Sequence, residues 1–226
     1  MNAPPPVDAA LLDEAVDLLR QAGELTLQWF RSSSLTIDRK GDGTPVTQAD
    51  KAAERFLREA IAASHPDDTL VGEEEATRTG TSSQTWIIDP IDGTKAFTHG
   101  VGLYTNLLAV NDEHGPAIGV INIPALGETV WAGRGLGCFF NGEPTRVSEH
   151  DALGGAHISS SSFSNWRDDQ LQRLRAAHAH LRTWGDGYGY ALVATGRIEA
   201  MVDVEVALWD VAPMPIILRE AGGRFT

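Results

Sequence analysis

The sequence predicts a mixed α/β protein built from layered sheets and helices. Three features point there. Apolar residues recur at helical spacing through the first third of the chain, and short apolar strands separated by turn residues fill the middle. After about residue 145, strands alternate with helices. The 226 residues are 42% apolar, enough for a sizeable core. They divide into an N-terminal α+β part, 1–145, and a C-terminal α/β part, 146–226.

From Asp8 to Phe30 the apolar positions Leu11, Ala15, Leu18, Ala22, Leu25 and Trp29 mark a first amphipathic helix. Pro4, Pro5 and Pro6 before it read as a short disordered lead-in. Leu35 to Arg39 reads as a strand, and Gly41-Asp42-Gly43-Thr44-Pro45 as a loop. A second helix is expected from Thr47 to Ser64, ended by His65-Pro66, because proline disfavours helix in the residue before it. A brief strand, Thr69 to Val71, then runs into Gly72-Glu73-Glu74-Glu75, and Ala76 to Thr85 reads as an exposed loop. Trp86-Ile87-Ile88 is a compact apolar strand with Asp89 at its end. Tyr104–Asn111, Pro116–Ile123, Glu128–Gly133 and Gly137–Phe140 follow as an antiparallel meander with turn chemistry between them. The last third reads as strand (Ala156–Ser160), helix (Asn165–His180), strand (Leu181–Trp184), helix (Tyr188–Thr195), strand (Ile198–Val204) and helix (Trp209–Ala221). Gly222-Gly223 stops that final helix.

The formal charge is −13. Nucleic acids and anionic membranes call for clustered Lys and Arg, so neither is expected as a partner. An anionic small molecule would need bound cations to reverse the local field. The single cysteine, Cys138, excludes an intrachain disulfide and a cysteine zinc site, and suits a reducing cytoplasm. No apolar run approaches the ~20 residues of a membrane span, and Met1 to Ala10 has no leader pattern.

The segment Trp86-Ile87-Ile88-Asp89-Pro90-Ile91-Asp92-Gly93-Thr94 is the most informative. A buried strand delivers Asp89, Pro90 shapes the turn, and Asp92 follows three residues later, so both carboxylates can share one small volume. Gly93 permits close backbone approach, and a short helix starting at Thr94 would offer free N–H groups to phosphate oxygens. Asp92 could equally cap that helix. Glu73 and Glu74 are adjacent, so one could face a site and the other solvent, or both could be solvated surface. Asp210, in Leu208-Trp209-Asp210-Val211-Ala212, could cap a helix or join the same acids. Oxygen-only ligands favour Mg²⁺ over zinc. Thr47-Gln48-Ala49-Asp50 has capping-box spacing, and Asp50 could also reach the site. Cys138 and the run Ser159 to Ser162 are expected to be structural.

Together these segments resemble the inositol monophosphatase family. The resemblance rests on Trp86 to Thr94, Gly72 to Glu74, Val46 to Asp50, Trp209 to Ala212 and Glu220 to Gly223, in family order. It implies a layered α-β-α-β-α sandwich of the inositol monophosphatase/sugar phosphatase type, hydrolysing a small phosphate monoester. It implies two or three Mg²⁺ ions on Glu73, Asp89, the Ile91 carbonyl, Asp92 and Asp210. Gly93 and Thr94 would bind the phosphate. Asp50, Thr94 and Glu73 would be catalytic, with Thr94 and Asp50 orienting the attacking water. Lys40 and Thr44 would lie in a mobile loop, and a homodimer is expected. Relatives continue past the Gly-Gly pair, whereas this chain stops at Arg224-Phe225-Thr226. The expectation is therefore a C-terminal part short at its edge, or a fragment.

The string from Arg182 to Arg197, with Gly185-Asp186-Gly187-Tyr188-Gly189-Tyr190, resembles the histidinol-phosphatase branch, as does Lys95 after Thr94. Histidinol phosphate carries an ammonium and an imidazole, which acidic residues would hold. Asp186 and Asp203 are the candidates, with helix capping the other reading of Asp186. Glu199 and Glu205 are expected to be solvated. The alternatives are inositol-1-phosphate or broad sugar-phosphate hydrolysis, and, in another class, a non-catalytic member that binds metal or a partner.

Overall fold

The computed structural model describes residues 4–41 and 43–226. Met1 to Ala3, part of the stretch inspected for a leader, and Asp42, part of the expected loop, lie outside them.

Helix α1 (Ala9–Leu27) starts where the Asp8 carboxylate accepts from the Ala10 N–H, and it buries Leu12, Ala15, Val16, Leu19 and Ala22. It ends one turn before Phe30, the expected end. The chain tightens into turns at Gln28 and reaches Arg31 at φ 59°. Trp29 and Phe30 pack instead against Phe97 and Tyr104. Strands β1 (Ile37–Arg39) and β2 (Pro45–Thr47) form a small hairpin. Helix α2 (Gln48–Ser64) follows, with Thr47 and Asp50 closing a capping box.

Next come β3 (Thr69–Gly72), β4 (Thr85–Asp92), the short helix α3 (Thr94–Thr98), β5 (Thr105–Asp112), β6 (Gly115–Ile123), β7 (Glu128–Gly133), β8 (Gly137–Phe140) and β9 (Glu143–Pro144). Among the described residues these strands form one sheet in sequential order from β3 to β9. β3 runs parallel to β4, and the remaining pairs are antiparallel. β4 is longer than the apolar triplet suggested, because pairing with β5 resumes at Asp92 after a register shift beyond Asp89. Pro90 lies inside that shift, where a residue without an N–H is tolerated. The segment Ala76 to Thr85 is not wholly loop, since Arg78 bridges back to Leu70.

The second sheet contains β10 (His157–Ser159), β11 (His180–Arg182) and β12 (Ala200–Met201), in the order β11-β10-β12 and all parallel. Helix α4 (Asp168–Ala176) links β10 to β11, and α5 (Asp186–Ala194) links β11 to β12. The two connections run in opposite directions along the sheet, so right-handed crossovers put α4 and α5 on opposite faces. α5 contacts β5 and β6 on one side and β12 on the other, so it lies between the sheets. α1 and α2 cover the outer face of the large sheet through Leu19, Leu57, Trp86, Ile88, Leu108 and Val120. The layers are helix, sheet, helix, sheet and helix.

The helix expected from Trp209 to Ala221 is two helices, α6 (Leu208–Val211) and α7 (Met214–Glu220). Pro213 cannot donate into a continuous helix and restarts it. Gly222, at φ 86°, ends α7 as expected. The strand expected from Ile198 to Val204 is reduced to two residues. Among the described residues, no helix is long and apolar enough to cross a membrane.

Candidate active site

Three acids distant in sequence converge where β4 meets α6. Asp89, Asp92 and Asp210 each place one carboxylate oxygen within 4.8 Å of the others. β4 supplies the first two from either side of its register shift. Asp210 comes from the first turn of α6, where its Oδ2 also accepts from the Ala207 N–H at 2.7 Å. It therefore caps its helix and faces the cluster at once. Asp92 Oδ2 accepts from Thr105 Oγ1 at 2.9 Å and from the Gly187 N–H. Asp89 Oδ1 is buried without a hydrogen-bond partner among the described residues.

Burial pushes the Asp89 pKa well up, and the charges of Asp92, Glu73 and Asp210 push it further. Asp92 is raised by burial and by Asp186, against hydrogen bonds from Gly187 and Thr105 that lower it. Asp210 is raised, chiefly by burial. Crowded, desolvated carboxylates of this kind are stabilised by a cation. An orphaned buried oxygen within an all-oxygen donor set fits a hard divalent ion, and neither His nor Cys intrudes.

Gly72 pairs with Ile88 across the parallel strands, so Glu73 emerges beside Asp89. Lys40, from the β1–β2 hairpin, places Nζ 2.5 Å from Glu73 Oε1 and 2.7 Å from Glu74 Oε1. This corrects the expectation that one acid faces the site and the other solvent: both hold the same ammonium. Burial opposes the charge on Lys40, but hydrogen bonds and charge from Glu73 and Glu74 outweigh it and raise its pKa.

Asp50 lies in the first turn of α2. It accepts from the Thr47 N–H at 2.8 Å and from Thr47 Oγ1 at 2.5 Å. Burial raises its pKa to about 6, although the bonds from Thr47 lower it. Thr94 Oγ1 donates to the Ile91 carbonyl at 3.0 Å and lies 3.5 Å from Asp50 Oδ1. Gly93 precedes α3 as its N-cap residue at φ 78°, and a Cβ there would stand 2.8 Å from Asp186 Oδ2.

A small cavity of ≈ 90 Å³ opens beside the cluster, lined by Asp92, Ser161, Asp186, Gly187, Tyr190, Asp203, Glu205, Val206 and Asp210. Asp186 is the first residue of α5, at φ 55°, rather than its cap, and its N–H donates to Ser161 Oγ at 2.8 Å. Burial raises its pKa, with the Ser161 hydrogen bond lowering it in part. Asp203 accepts from the Ser161 N–H at 2.8 Å, Ser161 Oγ at 3.0 Å, Tyr190 Oη at 3.2 Å and Ser160 Oγ at 3.3 Å. Its oxygens are largely committed to the fold.

Glu199 is not solvated as expected: it accepts from the His157 N–H at 2.6 Å and Ser148 Oγ at 3.1 Å, which joins β10 to the segment before it. Glu205 is exposed and accepts from Asn165 Nδ2. Nothing local in the sequence marked Thr105, Ser161 or the Gly187 amide. Nor did it mark Asn106, whose Nδ2 holds the Pro90 carbonyl at 2.6 Å. Each reaches the site across elements. Only the location of Thr105 and Asn106 on a strand paired with β4 could have hinted at them.

The family model described as the inositol monophosphatase family matches residues 8–226. A histidinol-phosphatase of Chlorobaculum parvum is 43% identical over 219 residues, spanning 94% of this chain and 83% of that protein. A histidinol-phosphatase of Mycobacterium tuberculosis is 38% identical over 221 residues, spanning 94% of this chain and 85% of that protein. Among solved structures, the IMPase of Thermotoga maritima matches with a TM-score of 0.86 and 34% identity, covering 94% of this chain and 84% of that one.

Proposed function

Since the chain belongs to the inositol monophosphatase family and is a phosphatase of that family, we propose that it is a Mg²⁺-dependent enzyme that converts L-histidinol phosphate to L-histidinol. The observation that carries the metal reading is the convergence of Asp89, Asp92 and Asp210 around a buried oxygen without a partner. Glu73, Asp89, the Ile91 carbonyl, Asp92 and Asp210 would hold two or three ions. The Ile91 oxygen accepts from Thr94, but a carbonyl has a second lone pair to offer. When bound, magnesium supplies the Lewis acidity that makes water nucleophilic near neutral pH and steadies the departing alkoxide.

The protein's own groups position and neutralise, which is most of what phosphoryl transfer asks of them. Thr94 has a single proton, for which the Ile91 carbonyl at 3.0 Å and Asp50 Oδ1 at 3.5 Å compete, and its lone pairs are free to accept from the attacking water. Asp50 partners that hydroxyl by accepting its proton in place of Ile91, which orients the Thr94 lone pairs toward the water, and Glu73 completes the catalytic group. The backbone at Gly93 and Thr94 seats the phosphate. Lys40 must share or release Glu73 when cations enter.

On the leaving-group side, Asp186 is the candidate contact for a substrate ammonium, because its carboxylate faces Gly93 at the cavity. Asp203, also a candidate from the sequence, acts on the substrate mainly by holding Ser161 and through it Asp186. Similarity to the Thermotoga maritima IMPase supports a second reading, hydrolysis of inositol-1-phosphate or other sugar phosphates. Phosphate release is to be measured in parallel from histidinol phosphate, inositol-1-phosphate and 3′-phosphoadenosine 5′-phosphate. A clear preference for the first is expected; equal slow rates on all would favour the broad reading, and no release from any would favour a binding protein.

A further inference from the structure

Glu54 lies on α2, one helical turn after Asp50 and outside every set of ligands described above. It is fully buried. Its Oε2 accepts from the Glu74 N–H at 2.8 Å, and its Oε1 accepts from the Glu75 N–H at 3.0 Å. Arg58, one turn further on, donates Nε to Oε1 at 2.7 Å and Nη2 to the Glu75 carbonyl at 2.9 Å. Two consecutive amides and a guanidinium thus enclose one carboxylate, and the turn after β3 is clamped at both its N–H and C=O groups.

The clamp has a geometric consequence for Glu73. On one side Glu73 is fixed by the β3–β4 ladder, through Gly72 opposite Ile88. On the other it is fixed by the anchored Glu74 amide. A Cβ at Gly72 would stand 2.1 Å from Glu54 Oε1, so the missing side chain is what lets the carboxylate approach. Buried ion pairs contribute little net stability compared with a well-packed apolar pair. A fully hydrogen-bonded buried carboxylate does hold its donors in one arrangement. Asp50 and Glu54, four residues apart, share one face of α2, so a single helix aims the water-orienting carboxylate and secures the ligand turn.

The geometry points to Glu54 as a positioning residue that sets divalent-cation affinity by fixing the backbone that carries Glu73. This rests on the reading above in which Glu73 ligates Mg²⁺. Glu54→Gln keeps the size of the side chain but offers one acceptor oxygen where three donors converge.

Mg²⁺ binding to parent and variant is to be measured by calorimetry without substrate, alongside the Mg²⁺ dependence of phosphate release. The dissociation constant is expected to rise about 10- to 100-fold, the usual effect of losing a group that supports a ligand. The rate at saturating Mg²⁺ is expected to return to within a few-fold of the parent, a recovery that general damage to the fold would not allow. If Glu54→Gln does not fold, Glu54→Asp, too short to reach both amides, is expected to weaken Mg²⁺ binding in the same way. A folded variant with the parent's Mg²⁺ affinity would overturn the assignment. So would failure of both variants to fold, since Glu54 would then serve the fold rather than the site. Absence of Mg²⁺ binding by the parent would instead sink the metal reading itself.

Discussion

Asp92 has the most to reveal as a single side chain. It meets Asp89 and Asp210 within 4.8 Å, and it also receives Thr105 and Gly187. Asp92→Asn keeps one acceptor oxygen for those donors and removes one charge from the crowd. Turnover is expected to fall a hundredfold or more, about 2.7 kcal/mol of barrier. Melting measured in chelator is expected to be no lower than the parent's, because like-charge repulsion is relieved. Phosphate release and circular dichroism on the same sample check both halves; near-parental turnover would remove Asp92 from the machinery. Gly93→Ala tests backbone instead of charge. The left-handed φ of 78° costs a side chain about 1–2 kcal/mol, and the new methyl would press on Asp186 Oδ2. Loss of both stability and activity is expected, read by denaturant unfolding and phosphate release.

Among the elements, β4 and the α6–α7 pair show what the sequence discloses. The strand-borne spacing of Asp89 and Asp92, and the placement of Asp210 at a helix start, were legible because both are local patterns. The length of β4 was not, since pairing with β5 across the Pro90 irregularity is a long-range event. The break at Pro213 was legible in principle: the proline's missing N–H should outweigh the apolar periodicity that suggested one helix. Lys40 escaped notice as the partner of Glu73 and Glu74 because the contact spans 33 residues from Glu73 and depends on how the β1–β2 hairpin folds over the site. β12 likewise owes its pairing to a distant partner, β10, beside which it forms the edge of its sheet among the described residues.

Elsewhere, Arg134 grips Asp112 with both terminal guanidinium nitrogens and through Nε holds the Pro5 carbonyl at 2.8 Å, tying the N-terminal lead-in to the end of β5. So Pro5 is tethered, not loose as the proline run suggested. The Arg134 hydrogen bonds lower the Asp112 pKa. A depressed carboxylate pKa contributes stability above the unfolded value, near 3.9, and that contribution disappears as pH falls through the folded value. Asp112→Asn is expected to cost about 1 kcal/mol at pH 7, or roughly 2–4 °C of melting temperature. The gap between variant and parent should close in strong acid, and thermal melts across pH will show whether it does.

Across the whole molecule, a charge of −13 meets a cluster of buried acids. Mg²⁺ at a hundredfold over its dissociation constant is expected to stabilise the fold by about 2.7 kcal/mol. EDTA should reverse that gain together with catalysis. A melting temperature indifferent to Mg²⁺ would contradict a resident divalent ion.

α5 carries a consequence for how this protein could change its diet. Its first two residues meet at one small cavity: Asp186 walls it, while the next amide, Gly187, grips Asp92. Under the proposed function, taste and reactivity would hang from one peptide. A mutation at Asp186 that retunes which alcohol is accepted would then disturb, in the same stroke, the acid proposed to hold the ion, so new preferences at this position would arrive with an altered appetite for metal.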